Sequence, residues 1–230
     1  MAYPCYVDQR TAILDAAERL LAASEDHDVA TRAVCEAAGV TQPVLYRQFG
    51  DKKGLLDALA DRGFERYAHR KAGLPVTDDP VADLLSGWDD HTRFAAANPA
   101  LYQLMFVPRP RSRSVARQRV LDLLAATLTR VAAAGRLTVE VDHAAQVVLS
   151  ANVGAALNRI AQPEVFGEDL SHRVRDAVFG SLLRDAPRRE GRPGLPSAAR
   201  RLRAQLDLTD PGTLEPEETA LLRRWLERLS

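Results

Sequence analysis

The stretch Thr31-Arg-Ala-Val-Cys-Glu-Ala-Ala-Gly-Val-Thr-Gln-Pro-Val-Leu-Tyr-Arg-Gln-Phe-Gly-Asp-Lys52 decides how this chain is read. Residues 31–38 form a short helical run whose spacing predicts burial of Val34, Ala37 and Ala38. Gly39 ends that run, because glycine enters the left-handed conformation of a helix C-terminus without a Cβ clash. Thr41 then suits the N-cap of a further helix, and Pro43 falls in its first turn, where a missing amide proton costs little. Two short helices joined by a tight glycine turn constitute a helix-turn-helix.

Upstream, Ile13, Leu14, Ala17, Leu20 and Leu21 fall at i, i+1, i+4, i+7 and i+8, one stripe of a helix over about 10–23. The polar run Ser24-Glu-Asp-His-Asp28 separates it from the helix-turn-helix. Downstream, an amphipathic helix over about 52–71 carries Leu55, Leu56, Leu59 and Phe64, and Gly73-Leu-Pro-Val-Thr-Asp-Asp-Pro80 reads as a linker. Further helices are expected at about 80–97, 99–107, 114–135, 139–161 and 169–184, parted by Asn98-Pro99, by Pro108 and Pro110, by Gly135, and by Pro163 to Gly167. A Pro/Gly/Arg linker, Pro187 to Pro196, leads to short helices at about 197–207 and 216–229. The last has an apolar face of Leu222, Trp225, Leu226 and Leu229, most simply a helix docked on the preceding domain.

Val, Ile and Thr are sparse beside Ala, Leu and Arg, and no period-two alternation persists, so the expected fold class is all-α with no sheet. Three segments follow: 1–72, the helix-turn-helix with its connecting fourth helix; 73–186, a larger helical domain; and 187–230, an appendix. The 230 residues are 46% apolar, enough chain for a substantial core. The 31 Lys+Arg balance the 31 Asp+Glu, which excludes a protein that coats polyanions generally and leaves local basic surfaces possible. No window approaches the ~18 apolar residues of a membrane span. Met1 to Arg10 lacks the basic start and apolar run of a signal peptide, so a cytoplasmic location away from the membrane is expected. The two cysteines, Cys5 and Cys35, are both expected to be reduced, and they exclude a disulfide framework and a zinc knuckle.

From Arg10 to Leu59 the chain resembles the TetR (tetracycline repressor) family of transcription regulators. The resemblance is carried by the Ala37-Ala-Gly-Val40 turn, Thr41-Gln-Pro43, Leu45-Tyr46, Phe49, Lys52 and Leu55-Leu56, in that order and spacing. It implies an N-terminal three-helix DNA-binding domain followed by an all-helical domain that binds a small effector and dimerises.

A recognition helix enters the major groove N-terminus first and must expose short polar groups there. Gln42 is the best base reader, since its amide can bond both positions of an adenine edge. Pro43 and Val44 can meet a thymine methyl, and Gln48 can reach base or phosphate. Thr41, Tyr46 and Lys52 are placed to clamp phosphates, with Arg47 adding a contact of the same kind. The resemblance sets Thr31 and Arg32, at the start of the preceding helix, against the DNA backbone, and Arg32 could also reach a guanine. Leu45 and Phe49 are expected in the core. Between Arg10 and Lys53, six basic residues face seven acidic ones, so binding depends on how the cations are segregated onto one face and should weaken steeply with salt.

In the distal domain, Trp88, His91, Phe94, Tyr102, Met105, Phe106, Asn152 and Asn158 are the candidates for an effector pocket. Each suits ordinary core, interface or surface as well, and Met105 and Phe106 lean furthest towards core. The helices over 139–161 and 169–184 resemble the family's dimerisation pair, with Ala144, Ala145, Ala151, Gly154, Ala155, Ala177 and Gly180 permitting close approach. A twofold homodimer would present recognition helices ~34–36 Å apart to a near-palindromic operator. The arginine runs Arg109, Arg111, Arg113, Arg117, Arg119 and Arg184 to Arg203 read as solvated surface.

An enzyme is the poorer reading. Trp88-Asp89-Asp90-His91 is the nearest thing to a catalytic or metal cluster, yet adjacent helical residues point in different directions. His27, His69, His143 and His172 show no ligand pairing, and neither a phosphate-binding glycine loop nor a nucleophile elbow is present, so no metal or cofactor is called for. The other alternative is a helical ligand-binding or scaffold protein without DNA binding, against which Thr41, Gln42, Tyr46 and Lys52 all speak.

Overall fold

The structure is a computed structural model that describes residues 9–24, 28–107, 115–184, 194–209 and 212–230. Cys5, Glu25 to His27, Pro108 and Pro110, Arg109, Arg111 and Arg113, and most of the Pro187 to Pro196 linker lie outside the described residues. Among those described the chain forms eleven α-helices and no strand: α1 (Gln9–Ala23), α2 (Thr31–Ala38), α3 (Gln42–Phe49), α4 (Lys52–Ala72), α5 (Pro80–Ala97), α6 (Pro99–Phe106), α7 (Val115–Ala133), α8 (Val141–Ala161), α9 (Leu170–Leu182), α10 (Leu195–Leu208) and α11 (Pro216–Leu229). The all-α class expected from the sequence is the class observed. Two ends differ for local reasons. Helix α8 starts late because Leu137 forms a bridge with Leu183 and Thr138 N–H donates to Leu182 O at 2.9 Å. Helix α10 starts early because Pro196 sits in its first turn, where proline is tolerated, rather than in the linker.

Packing separates the chain into two compact units, residues 1–70 with 94–120 and residues 71–93 with 121–230. In the first, the α1 stripe buries Ile13, Leu14, Ala17 and Leu21 in a core shared with Val34 of α2, Leu45 of α3, and Leu55 and Leu59 of α4. Helix α2 buries Cys35 beside Val34, leaving Ala37 exposed and Ala38 half-buried, which corrects the expected face. Ala37 lies about 300° round the helix from Val34, on the far side of that face from Cys35. Arg62 of α4 reaches back to α1, donating to Asp15 at 2.6 Å and Glu18 at 2.5 Å. Phe64, Tyr67, Phe94, Tyr102 and Phe106 form an aromatic cluster, with Phe64 edge-on to Phe106 at 5.2 Å and Tyr102 stacked on Phe106 at 4.5 Å. Such pairs contribute about 0.5–1.5 kcal/mol each beyond their buried area.

The second unit packs Leu84 and Trp88 of α5 with Leu128 and Val131 of α7, Val148 of α8, and Phe179 and Leu182 of α9. Four of its polar side chains form a network: Trp88 Nε1 donates to Ser171 Oγ at 3.0 Å, Thr92 and Ser171 share a hydroxyl bond of 2.9 Å, and Asn152 Nδ2 donates to Trp88 O at 3.4 Å. Helix α10 belongs to this core through Ala204, and Arg203 pairs with Glu140. On α11 Leu226 is buried and Leu222 half-buried, whereas Trp225 is 53% exposed and Leu229 is exposed too, so the expected apolar face docks through two of its four residues.

Burial makes this unit acid-sensitive. His91 is buried, and desolvation, helped by the nearby Lys71 ammonium and opposed by Asp90, lowers its pKa from 6.5 to about 3. In the unfolded chain the imidazole takes up a proton below its usual pKa, whereas in the fold it stays neutral until far lower pH. Stability is therefore whole above about pH 6.5 and falls as the pH drops towards 3, by ~1.4 kcal/mol per pH unit. Urea unfolding at pH 7 and pH 5 should differ by about 2 kcal/mol from this group. The difference should shrink in His91→Gln; persistence of the full difference would assign the acid sensitivity elsewhere.

Candidate nucleic-acid interface

The turn between α2 and α3 is closed by backbone bonds. Gly39 adopts φ 66°, its N–H donates to Glu36 O at 3.3 Å, and Val40 N–H donates to Cys35 O at 3.0 Å. This pattern ends a helix tightly and requires the left-handed conformation that glycine adopts most easily. Thr41 then occupies the N-cap of α3 in extended conformation, and its hydroxyl makes no capping bond. Leu45 is buried and anchors α3. Gln42, Pro43, Tyr46 and Arg47 stand at i, i+1, i+4 and i+5, so they form one exposed face opposite that anchor. Val44 and Gln48 flank this face, half-buried, and so does Phe49, which the sequence placed in the core.

Phe49 is held instead by a residue that motif reading passed over. Arg10 of α1 lies over the Phe49 ring at 4.5 Å and donates to Gln48 O at 3.1 Å, bracing the C-terminal end of α3. Asp51 Oδ1 accepts from Gly54 N–H at 2.7 Å and caps α4, so Lys52 stands in the first turn of a capped helix. Lys52 donates to Asp28 at 2.6 Å, and this bond holds the Asp28 carboxyl below the usual carboxylate range. Thr31 is half-buried at the start of α2, while Arg32 is exposed and bonded to Glu36 at 3.1 Å. Among the described residues Arg47 has no carboxylate partner, so the recognition-helix face carries an uncompensated cation although the domain as a whole does not.

The eight distal candidates are divided between the two units. Phe94, Tyr102, Met105 and Phe106 lie in the core of the first unit, where burial also pushes the Tyr102 hydroxyl far up. Trp88, His91 and Asn152 are buried in the second unit. Asn158 is exposed, because six residues along a helix turn it ~240° away from Asn152.

The Asp89-Asp90-His91 run diverges as its spacing requires. Asp89 accepts from Arg175 at 2.8 Å, Asp90 lies 3.1 Å from the Lys71 ammonium, and His91 is buried. Among the described residues no group of three or more His, Cys, Asp or Glu could hold a metal, and no helix is long and apolar enough to cross a membrane.

A helix-turn-helix with an exposed polar recognition face, followed by further helices, defines a DNA-binding transcription regulator. Residues 13–59 match the family described as bacterial regulatory proteins, tetR family. Residues 84–207, more than half of the chain, match the tetracyclin repressor-like C-terminal domain. The chain belongs to the TetR family of transcription regulators, which is not a family of enzymes. An uncharacterised helix-turn-helix-type transcriptional regulator of Mycobacterium tuberculosis is 31% identical over 100 residues, 43% of this chain and 49% of the relative. The chain thus spans about half the length of the curated relatives it matches. Among solved structures, a protein of unknown function from Rhodococcus sp. RHA1 is similar with a TM-score of 0.64 at 24% identity, covering 79% of this chain and 100% of that one. The fatty acid degradation regulator FadR from Bacillus halodurans gives 0.61 at 20% identity, covering 78% and 95%. At such identities the likeness speaks for the fold alone.

Proposed function

We propose that this protein is a one-component repressor that binds a near-palindromic operator as a homodimer and is released by a small apolar effector. Segment 1–72 acts as the DNA-binding domain with its connecting helix, 73–186 as the effector and dimerisation domain, and 187–230 as an appendix. The observation that carries the reading is the exposed face of α3, with Gln42, Pro43, Tyr46 and Arg47 side by side over the buried Leu45. Gln42 reads a base, Pro43 and Val44 meet apolar base surface, Thr31, Arg32, Thr41, Tyr46, Arg47 and Lys52 hold phosphates, and Gln48 serves either purpose. Its partner is double-stranded DNA in the cytoplasm.

Dimerisation through α8 and α9 is supported by Ala177 and Gly180, which remain exposed along α9. An effector would favour a dimer conformation whose recognition helices no longer match successive grooves, with a power limited to its differential affinity for the two states. Trp88, His91, Phe94, Tyr102, Met105, Phe106, Asn152 and Asn158 are the candidate residues through which it would act.

Selection of binding sites from a random DNA pool tests the reading, and a motif with two symmetric half-sites is expected. With that operator, Gln42→Ala should relax preference at one base position, losing about 1–3 kcal/mol of discrimination there. Lys52→Ala should weaken all sequences alike and flatten the salt slope by less than about one. Identical effects of the two substitutions would defeat the division into reader and clamp, and a pool that enriches nothing at low salt would defeat the regulator reading.

A further inference from the structure

Lys52 is the phosphate clamp of the reading above, yet its ammonium is already occupied. Nζ donates to Asp28 Oδ2 at 2.6 Å across 24 residues of sequence. The other ion pairs beside this face, Arg32 with Glu36 and Lys53 with Asp57, are i,i+4 pairs within single helices. The Asp28 pair is tertiary, joining the segment ahead of α2 to the first turn of α4. Asp28 is held from its own side as well, since its N–H donates to Ser24 Oγ at 3.2 Å and the next residue, Val29, is buried. The Lys52 side chain is 43% exposed and that of Asp28 58%, so an incoming acceptor can reach the ammonium without unfolding anything.

A carboxylate oxygen and a phosphate oxygen offer an ammonium the same kind of charged acceptor. We propose that Asp28 is an internal surrogate for a DNA phosphate, orienting the Lys52 ammonium in the free protein and competing with the backbone phosphate for it. The proposal rests on the DNA-binding reading of this face. Two consequences follow from charge. Duplex affinity is held down, because a phosphate must displace or share Lys52 beside a like-charged carboxylate. The salt dependence that Lys52 contributes is also muted, since a cation that keeps its own carboxylate displaces fewer counterions from DNA.

The test is fluorescence anisotropy with a random-sequence duplex over a series of NaCl concentrations. It compares the full chain with Asp28→Asn, Lys52→Ala and the double variant, with helicity checked by circular dichroism. Asp28→Asn should bind about threefold more tightly at moderate salt, the scale of an exposed ion pair. Its log-log salt slope should steepen by up to about 0.9. In the Lys52→Ala background the same substitution should gain almost nothing and leave the slope unchanged. Weaker or unchanged binding of Asp28→Asn overturns the proposal, and so does an equal gain with and without Lys52, which would be a through-space effect of charge alone. No duplex binding by any variant overturns the DNA-binding reading itself, an outcome distinct from binding that Asp28→Asn leaves unaltered.

Discussion

Gly54→Ala is expected to destabilise the helix-turn-helix unit by about 3 kcal/mol, the upper part of the range for forcing atoms into a packed site. A Cβ on Gly54 would lie 1.9 Å from Phe49 O and 3.1 Å from Phe49 C. Both are backbone atoms, so no rotamer change relieves the clash. Either the first turn of α4 opens, losing the 2.7 Å bond from Gly54 N–H to Asp51, or the end of α3 moves, lifting Phe49 from under Arg10. Each route displaces the recognition helix or the clamp beside it. Thermal unfolding followed by circular dichroism should show a midpoint lower by roughly 6–12 °C for a chain of this size. Duplex affinity should fall with it. Gly63 is the internal contrast, because its added Cβ would meet Met105 Sδ at 2.8 Å, the adaptable end of a flexible side chain. An unchanged midpoint for Gly54→Ala would mean that the α3–α4 junction tolerates movement and does not fix the interface.

Lys71→Met should cost the second unit about 3 kcal/mol, the lower end of what breaking a buried pair on one side removes. The Asp90 side chain is 3% exposed and that of Lys71 13%, with Nζ 3.1 Å from Oδ2 and donating to Gly87 O at 2.5 Å. Without the ammonium, the Asp90 charge retains Arg93 at 3.5 Å, a guanidinium that is 67% exposed and screened by water. That residual partner is why the lower end of the range applies. Replacing both members, Lys71→Met with Asp90→Leu, should restore most of the loss, since apolar side chains of similar volume often substitute for a buried pair without penalty. Urea unfolding of the single and double variants measures both effects. A single-variant loss below about 1 kcal/mol would place the pair in the class of solvated surface bridges instead.

Much of the molecule was legible before any coordinate. Gly39, Pro43, Asn98-Pro99 and the stripe of α1 are local signals, and each helix they delimit lies within a few residues of its expected bounds. The family rested on elements between Ala37 and Leu56, close together in sequence, so its signal needed no tertiary knowledge. The divergence of Asn152 and Asn158 was also readable, since their separation of six residues already sets them on different faces.

What stayed hidden joins residues far apart in sequence. Arg10 bracing Phe49, Arg62 tied to Asp15 and Glu18, Lys52 held by Asp28, and the allotment of Phe94, Tyr102, Met105 and Phe106 to one core but Trp88, His91 and Asn152 to another are of this kind. The requirement for glycine at position 54 is local in sequence but depends on how closely α4 turns back on the last carbonyl of α3.

The sequence by itself determined the all-helical class and the helix-turn-helix, because periodicity and helix punctuation act through neighbours within a turn or two. Only the tertiary structure decided which cations meet carboxylates, which aromatics share a core and which glycine cannot be replaced. Those outcomes depend on distances between segments whose sequence separation carries no information about their approach.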